Sequence, residues 1–312
     1  MKMTKKKAAI GVAIIIALVA IWSVMKPAPA EAAEMKVYGS LNYMLSNNEN
    51  ASGVATSKAE NNGSSIGVDF TSPLSEGVDG FAKLEVSIDA DDSGSTPFDS
   101  KLAYAGIDMG DKGVLSAGRQ DSVFKGAVTS KTDVFPEFGG SAAQKLFSRD
   151  SHTVAYSNSL GAIQIDNLVK VDGATGKSGV DVYETAASMD LTDSLNIGVA
   201  YTDDKVNSIE YKGAGVTFDL TDETSIGYSH TIKSVESTSL DTKANEVVAS
   251  HTIGATTFSA GYGEIVDGNK YTTFGAEKKI GENFSAYAGY EMTDKPTGVD
   301  TTNMAAGIKF TF

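Results

Sequence analysis

From about residue 33 onward, apolar and polar residues alternate with a period of two, in short segments separated by Gly, Asp, Asn, Ser and Thr. In the segment 34–46, Val37 and Leu41 share one face, whereas Lys36 and Asn42 lie on the other. Successive side chains of a strand point to opposite faces. The alternation therefore predicts half-buried β-strands, and no convincing amphipathic helix interrupts them.

Sixteen segments carry this pattern. They are 34–46, 63–72, 78–89, 101–109, 113–120, 151–158, 162–170, 181–190, 194–203, 206–220, 224–234, 244–253, 256–265, 269–280, 283–292 and 302–312. An even number of segments, each about ten residues long, is typical of a bacterial outer-membrane barrel. The predicted fold class is therefore all-β, a transmembrane antiparallel β-barrel of about sixteen strands.

The gaps between these segments alternate in length. Short gaps fall near 110–112, 192–193, 221–223, 254–255 and 281–282, and the gaps between them are mostly longer: 47–62, 90–100, 121–150, 171–180, 235–243 and 293–301. Only the gaps near 204–205 and 266–268 depart from this alternation. Tight turns on one rim and long loops on the other are a property of outer-membrane barrels, and a soluble sandwich has no reason to keep it.

The lipid environment requires the sheet to close into a barrel. In lipid every backbone donor and acceptor needs a partner, so an open sheet edge is forbidden. The lipid-facing midplane disfavours Arg and Lys by ~2–4 kcal/mol, so Arg119, Lys83 and Lys309 are expected to face the lumen. Sixteen strands enclose more space than side chains can fill. Small lumenal residues such as Gly198, Gly261 and Gly289 are expected to leave room for water.

The gap 121–150 is the longest stretch without strand alternation between Leu102 and Leu191. Loops of this length in a compact domain are usually functional or disordered. This one is too apolar for a solvated linker, since it contains Phe124, Phe135, Phe138 and Phe147. We therefore expect it to pack against another part of the molecule.

Composition and the N-terminus narrow the class further. The 312 residues include no Cys, which excludes disulfides and Cys-ligated metals. Their net charge of -14 argues against a nucleic-acid partner.

The N-terminus resembles a signal peptide: residues 5–7 are Lys, 8–24 form an apolar run, and Ala30-Glu31-Ala32 resembles a cleavage site. We predict a cleaved signal peptide at 1–32 and a barrel at 33–312; an uncleaved anchor is the alternative. Removing 1–32 takes away five Lys and one Glu, which changes the net charge from -14 to -18.

With these features the sequence resembles the general diffusion porins of Gram-negative outer membranes. The most specific likeness is Asp133-x-x-Pro136-Glu137-Phe138-Gly139-Gly140, which is similar to their constriction loop. Val37-Tyr38-Gly39 and the terminal Phe312 also fit. The resemblance implies a homotrimer of sixteen-stranded barrels in the outer membrane, in contact with lipid and lipopolysaccharide. It implies passive diffusion of small hydrophilic solutes and ions, a third outer loop folded into the lumen, and recognition of Phe312 by the barrel-assembly machinery.

Residue by residue, the family's loop acids match Asp133 and Glu137, and two of its wall arginines match Arg119 and Arg149. Pro136, Phe138, Gly139 and Gly140 match the scaffold of the constriction loop. Two further basic wall positions would fall near Ser40 and Ser65, which are serines here. This departure implies a wider or less positive constriction with a preference for cations. Carboxylates that line a narrow passage also concentrate cations on electrostatic grounds.

Other polar residues give weaker signals. The run from Asp89 to Gly94 lacks the spacing of an EF-hand loop, so it is either a solvated tip, a divalent-cation bridge to lipopolysaccharide or a trimer-locking loop. His152, His230 and His251 show no ligand spacing, so neither a metal nor another cofactor is expected. Ser250 and His251 are adjacent and point to opposite faces of a strand, so we do not predict an enzyme.

Three alternatives stay open. A substrate-selective outer-membrane channel would need a dense basic or aromatic track along its lumen. A structural or adhesive barrel would have a closed pore. A secreted soluble β-protein would dissolve without detergent, and fractionation of membranes distinguishes it from a barrel.

Overall fold

The structure is a computed structural model that describes residues 33–91, 97–173, 179–238 and 240–312. The predicted signal peptide, 1–32, and the tip 92–96 of the loop that begins at Asp89 lie outside the described residues. The strands are β1 (Glu34–Glu49), β2 (Ala55–Asn61), β3 (Ser65–Ser75), β4 (Val78–Ile88), β5 (Phe98–Asp108), β6 (Val114–Asp121), β7 (Arg149–Leu160), β8 (Ile163–Lys170), β9 (Val182–Thr192), β10 (Leu195–Asp204), β11 (Ile209–Thr221), β12 (Thr224–Val235), β13 (Leu240–Ile253), β14 (Thr256–Ile265), β15 (Lys270–Lys279), β16 (Phe284–Asp294) and β17 (Thr301–Thr311).

The strands form one antiparallel sheet that closes on itself. From β3 to β17 each strand pairs with the next, and β17 pairs with β1 through matches such as Leu41 with Phe310. The first half of β1 pairs with β3 and its second half with β2, so β2 and β3 share one position in the wall. The wall therefore has sixteen positions and one additional strand. The predicted barrel is confirmed, but β2 lies inside the predicted gap 47–62 and was missed.

The two rims differ as predicted. Tight connections at 76–77, 161–162, 193–194, 222–223 and 254–255 lie on one rim. The opposite rim carries the longer connections, among them 89–97, 122–148 and 171–181. The connections 205–208 and 266–269 on that rim are short, as expected, but 236–239 is equally short, whereas the gap 235–243 was predicted to be among the longer ones.

The wall exposes apolar side chains on its outward face. Leu45 is 66% exposed, Val199 55% and Phe274 52%, whereas Ala200 and Thr273, the neighbours of the last two on the opposite face, are buried. A band of exposed apolar residues around a closed sheet is the surface that hydrocarbon solvates. The strands therefore span the membrane with this face toward lipid.

Within the described ranges, no helix is both long enough and apolar enough to cross a membrane.

Candidate pore constriction

Residues 122–148, which connect β6 to β7, lie along the inner face of the wall; we call them the inner segment. It starts with a short helix, α1 (Val123–Ala127), whose N-cap Ser122 accepts a hydrogen bond from the amide of Lys125 at 3.2 Å. A 3-10 turn at Thr129–Thr132 follows. The segment packs mainly on strands β9 to β16, about half of the inner wall, and it also touches β8, β17 and β1.

The first anchor of the inner segment is apolar. Phe124 and Val128 have no exposed surface, and they pack with Ala186, Ala200 and Tyr211 of β9, β10 and β11. Burying each such side chain stabilises the packing by ~1.5–3 kcal/mol. This cluster fixes α1 against the wall.

A second set of apolar contacts holds the far end of the segment. The ring of Phe135 lies over Gly261 and Gly275, on β14 and β15. Phe138, whose φ of 64° is in the left-handed region, packs against a cluster of Met44, Tyr287 and Ala305. Three of the four phenylalanines in the predicted loop thus pack on the wall or among its side chains.

The third anchor is a buried carboxylate in β9. Glu184, fully buried, accepts hydrogen bonds from the hydroxyl of Ser122 at 2.8 Å and from the amides of Val123 at 3.0 Å and Phe124 at 3.4 Å. Thr202 on β10 donates a further bond at 3.1 Å. The first amides of a helix have no intrahelical partner, so Glu184 satisfies donors that would otherwise be orphaned.

Two more wall glutamates repeat this arrangement. Glu246 on β13 accepts from the Gly140 amide at 2.8 Å and from the Thr132 hydroxyl at 3.2 Å. Glu291 on β16 accepts from the Gly139 amide at 3.2 Å and from Ser141 at 3.1 Å. None of these glutamates was predicted from the sequence to be an anchor. A charge on the inward phase of a strand was the only signal, and it does not separate an anchor from a residue that faces water.

Glycines on the wall allow the close approach. A Cβ at Gly227 would overlap the carbonyl oxygen of Lys131, and one at Gly198 would overlap that of Ala127. A Cβ at Gly289 would lie 3.1 Å from the ring of Phe138. The expectation that Gly198, Gly261 and Gly289 leave room for water is therefore wrong, because the inner segment occupies that room.

The two predicted loop acids lie in different surroundings. Asp133 is exposed, and its charge acts on Lys145, whose own pKa is lowered by burial. Glu137 is half-buried beside Asn62, and burial raises its pKa above 4.5 although Asn62 and the Phe138 backbone donate to it. Pro136 packs near Gly275 of β15.

The two predicted arginines are placed near the ends of β6 and β7. Arg119 donates from Nε to the carbonyl of Ser100 at 3.0 Å and from Nη1 to the hydroxyl of Ser151 at 3.2 Å. Arg149 forms an ion pair with Asp121 at 3.4 Å. Among the described residues, no salt bridge joins either arginine to Asp133 or Glu137.

The inner face that the segment leaves uncovered, on β3–β5 and the first half of β1, carries large charged and aromatic groups. Lys83 pairs with Asp69 at 2.9 Å, and Lys101 pairs with Glu85 at 2.6 Å. Tyr38 joins the two pairs, because its hydroxyl donates to Glu85 at 3.1 Å and its ring lies 4.5 Å from Nζ of Lys83. The alternation in the sequence placed Tyr38, Lys83 and Glu85 on the polar faces of their strands, but it did not predict these pairings.

Lys101 also reaches Ser65. Its Nζ lies 3.4 Å from the Ser65 hydroxyl, which is one of the two serine positions where the resemblance implies a basic residue.

The terminal residue Phe312 exchanges two backbone hydrogen bonds with Gly39, at 2.9 and 3.1 Å. It therefore lies at the seam where the barrel closes.

Several solved structures share this architecture. An anion-selective porin from Comamonas acidovorans aligns with a TM-score of 0.75 and 15% identity, over 90% of this chain and all of that one. Salmonella typhi OmpF, solved in complex with daunomycin, aligns with a TM-score of 0.73 and 17% identity, over 92% and 100%. OmpT of Vibrio cholerae, in its trimer form, aligns with a TM-score of 0.72 and 17% identity, over 90% and 100%. At these identities the likeness concerns the fold.

A search of curated protein sequences found no match. The sequence profile of the Gram-negative porin family, in contrast, matches residues 15–297, which is most of the chain. The family and the closed barrel indicate an outer-membrane diffusion channel rather than an enzyme. The chain belongs to the Gram-negative porin family.

Proposed function

We propose that this porin is a homotrimeric, cation-preferring channel for small hydrophilic solutes and ions, narrowed in each barrel by the inner segment. It performs no chemistry and needs no cofactor. The trimer is proposed from the resemblance and from the trimer form of the similar Vibrio cholerae protein. Outer-membrane lipid and lipopolysaccharide surround the barrel, and the barrel-assembly machinery reads the strand that ends at Phe312.

The observation that carries the cation preference is that several cations of the wall are paired with carboxylates. Lys83, Lys101 and Arg149 each have a carboxylate within 3.4 Å. Lys170, near the rim with the long loops, is held by Asp150 at 2.7 Å and Asp172 at 3.2 Å. Paired charges of opposite sign cancel at the distance of a permeating ion, so they oppose cation entry little.

The acids of the inner segment supply the remaining negative charge. Asp133 is exposed, and no salt bridge to it is found among the described residues. In a narrow passage with low-dielectric walls, such a carboxylate raises the local concentration of cations. We assign Asp133 and Glu137 to the acidic side of the constriction, and Arg119 and Arg149 to the basic residues that flank it. Pro136, Phe138, Gly139 and Gly140 hold the acids in place.

The test is the reversal potential of the purified protein in a planar bilayer under a KCl gradient, in the wild type and in Asp133→Asn/Glu137→Gln. Stepwise ohmic conductance with a K⁺ preference that falls in the double variant supports both the pore and the assignment. Conductance with unchanged selectivity in the double variant would mean that another part of the pore determines the selectivity. A folded trimer without conductance favours a closed, structural barrel.

A second candidate, a channel selective for one substrate, has weaker support. The uncovered inner wall holds Tyr38, Phe81 and Tyr104, with Phe81 and Tyr104 edge to face at 6.3 Å. This is a small aromatic patch rather than a track. Liposome swelling with sugars of increasing size would reveal selectivity as a rate that does not follow solute size.

A further inference from the structure

Five side chains form one connected group on the uncovered inner wall: Tyr38, Asp69, Lys83, Glu85 and Lys101; we call it the wall cluster. Asp69 and Glu85 bind one lysine each, and Tyr38 contacts both pairs. The formal charge of the cluster is zero, because two lysines meet two carboxylates. Glu85 is its centre, since its side chain is only 9% exposed and it accepts from both Lys101 and Tyr38.

The wall cluster faces the pore. Tyr38 shares a strand face with Asn42, whose Oδ1 accepts a hydrogen bond from Tyr287 at 2.8 Å. Tyr287 in turn packs with Phe138 of the inner segment. Lys83 and Glu85 oppose Leu84, which is 51% exposed on the lipid side. The cluster therefore lies on the side of the wall that permeating ions pass.

The wall cluster lies beside the space through which ions permeate. The inner segment packs along the wall from β9 to β16, so the passage that remains in the lumen lies toward the opposite wall, which includes β3–β5. An ion in that passage has the segment on one side and the wall cluster on the other. The side chains of Lys83 and Lys101 are 27% and 25% exposed, so water and ions reach them although each is tethered.

We propose that the wall cluster contributes to the ion preference of the pore alongside Asp133 and Glu137, with Glu85 and Asp69 acting as specificity-determining residues that mask the charges of Lys101 and Lys83. This inference rests on the proposed function, because it concerns selectivity within the same pore. Removing Glu85 leaves a net charge of +1 on the cluster and turns Lys101 into an unmasked cation. Removing Lys101 leaves a net charge of -1.

The experiment is the reversal potential under a KCl gradient for Glu85→Gln, Lys101→Met and the double variant. We expect Glu85→Gln to lower the K⁺/Cl⁻ permeability ratio by roughly two- to fivefold, as one unit charge acting over a few ångströms of water would do. Lys101→Met should raise the ratio. The double variant should return close to the wild type, since the cluster is neutral again.

A matched control lies on the outward face. Tyr201, Glu210 and Lys212 repeat the chemistry of the cluster: the tyrosine hydroxyl donates to Glu210 at 2.8 Å, and Lys212 pairs with Glu210 at 2.8 Å. Lys212 points away from the pore, because its neighbours Tyr211 and Gly213 contact the inner segment. Glu210→Gln should leave the permeability ratio unchanged. An equal shift in Glu210→Gln and Glu85→Gln would overturn the proposal.

Asp69→Asn provides a test that does not depend on the fold of the Glu85 variant. Asp69 is 38% exposed, and its loss unmasks Lys83 in the same sense. Wild-type selectivity in both Asp69→Asn and Glu85→Gln would refute the role of the cluster. The proposed function fails separately: it is refuted if the wild type does not conduct or prefers Cl⁻. A wild type that prefers Cl⁻ and shifts further toward Cl⁻ in Glu85→Gln would support the cluster alone.

Discussion

The inner wall of this barrel is built in two different ways. On the covered part, β9–β16, the inward residues are mostly small or buried: Gly198, Gly227 and Gly261 receive the inner segment, and Glu184 holds its first amides. On the uncovered part, β3–β5 with the first half of β1, they include the long charged side chains of the wall cluster. Both regions have the same period of two along the strand.

The difference shows how to interpret an inward face. Small inward residues do not by themselves indicate an open pore, because another part of the chain fills the space above them. Long inward residues that pair with each other occupy that space themselves, and the lysines among them stay partly exposed. In this barrel the polar groups nearest the passage are therefore those of the uncovered wall and of the segment's own exposed side.

The largest effect on this difference between the two regions is expected from removing the apolar anchor on the covered wall. We expect Phe124→Ala to weaken the docking of the inner segment by ~3–5 kcal/mol, because Phe124 is fully buried in the cluster around α1. Protease sensitivity of residues 122–148 and the noise of the open channel should both rise.

The control for this change is Phe258→Ala. Phe258 is 49% exposed on the outward face, so its truncation removes little buried surface. If both variants showed the same protease sensitivity, the cluster around α1 would not be what holds the segment. A folded Phe124→Ala trimer with wild-type noise would lead to the same conclusion.

A smaller effect is expected from added bulk at a contact glycine. Gly227→Ala places a methyl group against the backbone carbonyl of Lys131, which cannot rotate away. Such overpacking typically costs ~1–3 kcal/mol, so the 3-10 turn at 129–132 should shift from the wall and the conductance should become more heterogeneous. Gly126→Ala is the matched control, since a Cβ there meets nothing within 4 Å. Equal single-channel histograms for the two variants would argue against a tight contact at Gly227.

Much of the wall was predictable from the sequence, because lipid and the period of two constrain each spanning strand. β2 was not, since residues 55–61 are polar and exposed and pair only with the second half of β1. Its sequence carries no alternation that a membrane would impose. The predicted gap 47–62 therefore contains a strand that is recognised only by its backbone pairing with β1 and not by its sequence pattern.

The constriction was predictable in outline only. The phenylalanines of 121–150 indicated packing, and three of them do pack. Which wall residues receive them depends on register between distant strands, and this is why Glu184, Glu246 and Glu291 were missed. The acids and arginines that the resemblance paired are not joined by a salt bridge among the described residues, because Arg149 binds Asp121 and Arg119 binds a backbone carbonyl. The basic groups of the wall cluster come from lysines at other positions.

The smallest expected effect concerns pH and the tip of the inner segment. Burial raises the pKa of Glu137 above its ordinary value of 4.5, so the docked tip takes up a proton at a higher pH than the undocked tip does. Docking is therefore more stable when Glu137 is protonated, and this stability is lost as the pH rises through the raised pKa. As the pH falls through that window, above 4.5, the tip should dock more firmly and the pore should lose one negative charge. The K⁺/Cl⁻ permeability ratio should then decrease modestly, and Glu137→Gln should remove this pH dependence. A wild type and a Glu137→Gln variant with the same pH profile above 4.5 would show that Glu137 does not contribute to selectivity.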